Sequence, residues 1–390
     1  MVGATLPYAR LSAFYLVFFA VLGVLAPYLG PYLKGRGFDA AAIGTLIALL
    51  HGTKIVAPNL WGWVADHTGQ RIRIIRFACL AALIGFSGVF VPDAGFAWMA
   101  FVMIAFGFFW DAVLPQFEAN TMSHLAGQTH RYPRIRVWGT LGFMMSVLVV
   151  GEGVDRLGVD VVPVVLTGLF ALICLLSLTV PQADSAAHNG EGPGLFAVLR
   201  QPPVFGLLIA CFLLQASHGP FYAFYTIYLQ DHGYSATAIG LLWTTGLLAE
   251  VGVFLLMPRW LPRLGPRRLL TAAMMVGVVR WLLVARFPDT VALQAFAQLM
   301  HAATYGVYHA AAISLIHRYF TQGLQGRGQA IYSSVTFGAG IALGSFVAGK
   351  LWDTAGGPQT FYLAAMLAAL AAAIALVVVP SRHQLYAGRA

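Results

Sequence analysis

The sequence predicts an all-α polytopic membrane protein, with twelve transmembrane helices in two six-helix pseudo-symmetric bundles, and three observations carry that fold class. Hydrophobic residues make up 59% of the 390 and charged residues only 9%, at a mean hydropathy of +0.77. A soluble domain carries roughly a quarter of its residues charged, so this chain belongs in a bilayer. Each spanning helix takes about 20 apolar residues, which leaves room for about twelve. The chain also repeats itself: residues 32–44, from Tyr32-Leu33-Lys34 to Ile43-Gly44, recur as residues 228–240, from Tyr228-Leu229-Gln230 to Ile239-Gly240. Seven of the 13 pairs are identical at an offset of 196 residues, about half the chain, and the same offset sets Lys54 against Glu250.

The apolar runs place the elements in order. Helix 1 (about 8–33) outruns a signal peptide and lacks a basic n-region with a small-residue cleavage site, so it reads as retained. Helix 2 (about 40–64) carries His51 and Lys54, helix 3 spans about 74–92, and helix 4 (about 95–119) carries Asp111 and Glu118. Helices 5 and 6 cover about 135–152 and 159–180, closing an N-terminal bundle at 1–180. The segment 181–202, with Pro, Gly, Ser, Asn and the acids Asp184 and Glu191, is the only long polar stretch and reads as a linker. The C-terminal bundle, 203–390, opens with helix 7 (about 203–230), whose Gln215, His218, Tyr222 and Tyr225 share a face at 3-4-3 spacing. Helix 8 (about 237–258) bears Trp243 and Glu250, and helix 9 (about 267–285) bears Arg280 and Trp281. Helix 10 (about 290–316) has a polar stripe of Gln294, Gln298, His301, Tyr305 and His309. Helix 11 (about 328–352) contains the run Gly340-Ile341-Ala342-Leu343-Gly344, suited to close helix packing in lipid, and helix 12 covers about 358–380.

Charge fixes the orientation. With both termini in the cytoplasm, 16 of the 23 Lys and Arg residues fall on the cytoplasmic side, five on the other, and Lys54 and Arg280 within the membrane. The net charge of +9 therefore reflects helix orientation rather than nucleic acid, which is not expected as a partner. Cys79, Cys174 and Cys211 lie in apolar segments as small hydrophobes, without disulfide or metal spacing.

The turn after helix 2 reads Gly62-Trp63-Val64-Ala65-Asp66-His67-Thr68-Gly69-Gln70-Arg71. It resembles the signature loop of the major facilitator superfamily, an aspartate flanked by glycines and followed by basic residues. Gly62 and Gly69 allow a tight turn, and Asp66 can bond a helix N-terminus or an arginine such as Arg71, which makes these four a gating loop. The second half repeats it weakly: Gly265 and Arg267 match Gly69 and Arg71, while Pro262 stands at the aspartate position. Tyr32-Leu33-Lys34-Gly35, Arg136-Val137-Trp138-Gly139, Ala249-Glu250-Val251 and Val279-Arg280-Trp281, with His301 and His309 downstream, resemble the 3-phenylpropionate transporter family, a branch near lactose permease and the nucleoside–proton symporters. The resemblance spans essentially the whole chain. It implies the major facilitator fold, a monomer without cofactor or metal, and a multi-pass place in the bacterial inner membrane.

Ionisable side chains in hydrocarbon cost several kcal/mol, so each is a functional candidate facing a cavity or a partner. Glu250 is the expected proton carrier, since apolar surroundings favour its neutral form and a nearby cation opposes that. By resemblance to lactose permease, Glu250 and Arg280 match a glutamate and an arginine of the sugar and proton site. A static bridge from Glu250 to Arg280 or Lys54 is the structural alternative. Helix 10 lacks the acid that lactose permease carries, which leaves His301 as a possible relay and His309 equally open to a structural role. Glu118 falls where the family keeps an acid; Glu118 and Asp111 read either as a second proton site or as partners of Arg136. Lys54 and Arg280 supply cations to an aromatic interior of Trp243, Trp281 and Tyr305, with His51, Gln215, His218, Tyr222, Tyr225 and Asp111 lining it. A cation for a carboxylate and aromatic faces for a ring fit an aromatic acid; cation–π stacking on a sugar or nucleoside fits nearly as well.

The expected function is a proton-coupled symporter that imports a small organic substrate, an aromatic carboxylate first, by alternating access. Sugar or nucleoside symport is the alternative, and drug–proton antiport a more distant one. No HExxH, GxSxG, paired metal ligands or nucleotide loop appears, so an enzyme is not expected.

Overall fold

The computed structural model describes residues 6–125, 127–183, 195–321 and 324–380, nearly all of them helical. Glycine ends several of the helices. α1 (Tyr8–Gly35) stops where Gly37 adopts φ of +86°, and Phe38 N–H returns to Leu33 O at 3.3 Å. The repeat does the same: α7 (Pro202–Asp231) stops before Gly233 at φ of +83°, and Tyr234 N–H returns to Leu229 O at 3.0 Å. A left-handed residue closed by a six-residue bond is a helix stop that glycine adopts without strain. The 196-residue echo is thus a repeated turn, followed in each copy by a helix: α2 (Ala40–Thr68) and α8 (Ala236–Leu264).

Both of these helices run further than their sequence suggests. Gly62 and Asp66 lie inside α2, and Pro258 and Pro262 lie inside α8; the turns come at Gly69 and Gly265, with φ of +66° and +80°. Polar residues and prolines mark the last turns of these helices rather than their ends. A Cβ at Gly62 would stand in ordinary contact with Gln116 Nε2, at 3.7 Å, so neither a turn nor crowding requires glycine there.

The remaining spans are α3 (Arg71–Ser87), α4 (Phe96–Leu125), α5 (Tyr132–Leu157), α6 (Val161–Thr179) and α9 (Pro266–Arg286). Helix α10 is broken into Val291–Leu299, a π segment Ala302–Val307 and Tyr308–Tyr319. Helix α11 (Gln325–Ala355) carries a second π segment, Ser334–Gly340, and α12 is Gly357–Val378. Eleven helices among the described residues are long and apolar enough to cross a membrane; the interrupted α10 makes up the expected twelve. A short helix, Leu195–Leu199, lies within the expected linker, half of which falls outside the described residues.

The chain divides into two compact units. Of the described residues, the first comprises those within 1–38, 49–189 and 235–240, and the second those within 39–48, 190–234 and 241–390. In the first, α1 packs on α5 and α6 and α3 on α4. Rings fill the space between them: Phe14 on Phe117 at 3.8 Å, Phe18 on Trp110 at 4.4 Å, and Phe170 on Phe86, Phe106 and Trp110 at 5.1 Å each. A Cβ at Gly142 would collide with the Leu16 carbonyl, so α5 meets the α1 backbone directly. The start of α8 belongs to this unit and is capped by Asp155, which accepts from Ala236 N–H at 2.7 Å and Thr237 N–H at 2.8 Å.

In the second unit, α7 is the most enclosed helix and packs on α11 and α12. Gly219 and Gly344 bring the α7 and α11 backbones together, because a Cβ on either would strike the other helix. The start of α2 belongs here and is capped by Asp353, which accepts from Ala41 N–H at 3.0 Å.

Candidate functional site

Each unit holds its own set of buried or half-buried polar groups. In the first, α2 and α4 bring Thr53 Oγ1 to 2.7 Å from Asp111 Oδ2, and one turn of α2 sets Lys54 Nζ 3.4 Å from His51 Nδ1. Gly107 on α4 makes the approach possible, since a Cβ there would press on Thr53 and Leu50. Two turns along α4, Glu118 accepts a hydrogen bond from Tyr132 OH on α5 at 3.2 Å. Asp111 and Glu118 therefore serve two different neighbourhoods. Arg136, the expected partner of either acid, lays its guanidinium over Phe19 at 3.8 Å and reaches Tyr15 at 5.6 Å. At the end of α2, Arg71 donates to Asp66 at 2.6 Å and to Gln116 at 3.1 Å, which pins α3 to α2 and α4.

The second unit gathers more of the candidates, around Arg280. This side chain is fully buried, yet its hydrogen-bond partners are all neutral. Nε donates to Ala297 O at 3.1 Å, Nη1 to Thr304 Oγ1 at 3.0 Å, and Nη2 reaches Gln298 Oε1 only at 3.5 Å. Phe221 and Trp281 cover the guanidinium at 4.6 and 4.3 Å from their ring centres. His218 faces Leu214 O at 2.9 Å through Nδ1; a carbonyl only accepts, so Nδ1 carries the proton and Nε2 is left to accept from Arg280 Nη1 at 3.4 Å.

The ion-pair partner of Glu250 is His301. His301 Nε2 stands 3.5 Å from Glu250 Oε2, a pair that is nearly buried. The sequence leads one to expect Arg280 as the partner of Glu250; among the described residues, Arg280 has no carboxylate within ion-pair distance. His301 stands immediately before the π segment of α10, whose extra residue per turn re-aims the side chains that follow, Tyr305 among them. Tyr305 continues the face, stacked on His301 at 5.4 Å and on His309 at 6.3 Å, and His309 Nδ1 lies 3.3 Å from Tyr332 OH.

The other candidates divide by their partners. Trp281 is fully buried and donates to Ser217, and Tyr225 is buried and donates to Gln294, so both brace the site from behind. Gln215 is also fully enclosed. Tyr222, Trp243, His301, Tyr305 and His309 keep rings near one another or near Phe221.

Phe221 is the residue that sequence reading missed. Its ring meets Tyr222, Tyr225, Trp243, Trp281, His301 and the Arg280 guanidinium. An apolar residue in an apolar helix carries no signal of its own, but its place three after His218 and four before Tyr225 puts it on the same face. Thr304 and Thr53 were missed for the same reason, as small hydroxyls in hydrophobic runs. Among the described residues no cluster of three His, Cys, Asp or Glu side chains could hold a metal ion.

Such a unit combines an acid–imidazole pair able to hold a proton with a buried cation and a panel of rings. Known proteins share this chain's plan. A family model described as the MFS_1 like family matches residues 8–363. A probable 3-phenylpropionic acid transporter of Escherichia coli is 32% identical over 378 residues, covering 94% of this chain and 97% of its own. The maltose permease of Geobacillus stearothermophilus is 27% identical, covering 87% of this chain and 86% of its own. In structure, the nucleoside transporter NupG matches 97% of this chain and 100% of its own with a TM-score of 0.84 at 19% identity, which is a likeness of fold.

Proposed function

Because the chain belongs to the MFS_1 like family of multi-pass membrane transporters, we propose that it is a proton-coupled symporter importing a small aromatic carboxylate by alternating access. The observation that carries the reading is the Glu250–His301 pair, a carboxylate and an imidazole 3.5 Å apart and nearly buried in the second unit. A proton taken up there neutralises or charges the pair, and a bilayer-buried site holds few other groups able to do so. Glu118 and Asp111 are candidate acids of the first unit, and Lys54 is a half-buried cation there, with His51 beside it. The panel Phe221, Tyr222, Trp243 and Tyr305 suits a ring, and the Asp66–Arg71 bridge with Gly62 and Gly69 serves as the gating element at the end of α2.

The relative named for 3-phenylpropionic acid favours an acid among the possible substrates, and we take the protein to act as a monomer in the inner membrane with both termini cytoplasmic. The two bundles are then 1–180 and 203–390, joined by 181–202. A sugar or nucleoside is the second reading, favoured by the maltose and nucleoside permeases among the relatives. A drug–proton antiporter is a weaker third, since one relative is an efflux-pump homologue.

Uptake by proteoliposomes tests this directly. Radiolabelled 3-phenylpropionate is expected to accumulate above equilibrium when the interior is alkaline, and to stop doing so when a protonophore collapses the gradient. Accumulation of maltose or uridine instead, with none of the acid, replaces the substrate reading. Protonophore-insensitive accumulation removes the proton from the mechanism.

A further inference from the structure

We propose that Arg280 is the residue that holds the substrate's carboxylate, and that Gln298 occupies that place in its absence; the inference rests on the reading of the substrate as an aromatic acid. A guanidinium buried in a bilayer costs several kcal/mol and is ordinarily matched by a carboxylate. Here none of the described residues supplies one: the partners of Arg280 are Ala297 O, Thr304 Oγ1, His218 Nε2 and Gln298 Oε1. Glu250, a buried carboxylate of the same unit, faces His301.

Geometry then selects the ligand. Phe221 and Trp281 cover the guanidinium at 4.6 and 4.3 Å, which leaves its edge as the route for a new contact. On that edge Nε and Nη1 are engaged at 3.1 and 3.0 Å, while Nη2 has two N–H groups and one long contact to Gln298. A carboxylate accepting from Nη2 and from the second N–H of Nη1 makes the paired bonds for which a guanidinium is shaped and a lysine is not. It replaces only the 3.5 Å amide contact and the 3.4 Å contact to His218. The substrate's ring then meets the panel that begins at Phe221, with Trp243 at 4.5 Å and His301 at 5.9 Å. Thr304 acts as a positioning residue, holding Nη1 at 3.0 Å so that the edge points one way.

The division of labour is therefore within one unit: Glu250 and His301 for the proton, Arg280 for the anion. By this inference the choice between an acid and its uncharged analogue is made at Arg280.

Calorimetric titration of the purified full-length protein in detergent, at one pH, with 3-phenylpropionate and its uncharged amide tests this. Wild type is expected to favour the acid. Arg280→Gln removes a charge-assisted pair and is expected to lower the acid-to-amide affinity ratio by about 30-fold or more. Gln298→Glu keeps the arginine but supplies a built-in carboxylate, and is expected to lower the ratio comparably while amide binding persists. Lys54→Gln is expected to leave the ratio unchanged. If the glutamine variant of Arg280 fails to fold, the Gln298→Glu result decides. An unchanged ratio in Gln298→Glu, or a ratio that collapses in Lys54→Gln alone, overturns the inference. Binding of the acid without gradient-driven uptake sinks proton coupling and leaves this assignment standing.

Discussion

The first turn of α8 offers a stability test whose size follows from its bonds. Asp155 accepts from Ala236 N–H at 2.7 Å, Thr237 N–H at 2.8 Å and Thr237 Oγ1–H at 2.6 Å. Asp353 does the equivalent for α2 with one bond, from Ala41 N–H at 3.0 Å, while Asp39 already takes Ala42 N–H at 2.7 Å. Losing a helix cap costs about 0.5–2 kcal/mol, and a negative charge at a helix N-terminus adds about 0.3–1 kcal/mol. Asp155 is largely exposed, which screens the charge, so Asp155→Ala is expected to cost about 1–2 kcal/mol. With one bond lost, Asp353→Ala is expected to cost less than about 1 kcal/mol. At roughly 2–4 °C per kcal/mol for a unit of this size, the midpoints fall by about 2–8 °C and by less than about 4 °C. Thermal unfolding in detergent, followed by intrinsic fluorescence, reads both. Asp155→Asn keeps one acceptor oxygen and is expected to fall between wild type and Asp155→Ala. Equal shifts for the two alanine variants, or none for Asp155→Ala, refute the capping account.

Two further expectations concern packing. Gly344→Leu forces a side chain into the Ala216 carbonyl and is expected to destabilise by at least about 1–3 kcal/mol, whereas Gly252→Leu, with nothing within 4 Å of its Cβ, leaves the unfolding midpoint unchanged. Phe221→Ala removes the ring that joins Arg280, Trp243 and His301; it is expected to cost about 3–5 kcal/mol and to weaken binding of 3-phenylpropionate more than that of an aliphatic acid of similar length, as titration of both would show.

The scaffold was legible because hydrocarbon admits few backbone solutions: every apolar run has to become a helix. The echo at 196 residues was legible because a left-handed turn tolerates little but glycine, so Gly37 and Gly233 could not drift. The π segments at Ala302–Val307 and Ser334–Gly340 left no mark in composition, since small residues there serve straight helices equally well. Gly62 misled for the opposite reason: a glycine that reads as a turn lies inside α2. Buried charges announced themselves as candidates, but their pairing did not. Arg280 and Glu250 are 30 positions apart on neighbouring helices, and helix rotation decides that His301 rather than Arg280 meets the acid. Phe221, an apolar residue among apolar residues, became visible only when the rings around it were placed.

The central claim is that a proton on the Glu250–His301 pair drives accumulation. Glu250→Gln holds the side chain permanently neutral and separates binding from energy coupling. In proteoliposomes the variant is expected to exchange internal for external labelled 3-phenylpropionate at a rate near that of wild type, and to show no accumulation under an inward proton gradient. Gradient-driven accumulation undiminished in Glu250→Gln contradicts the account.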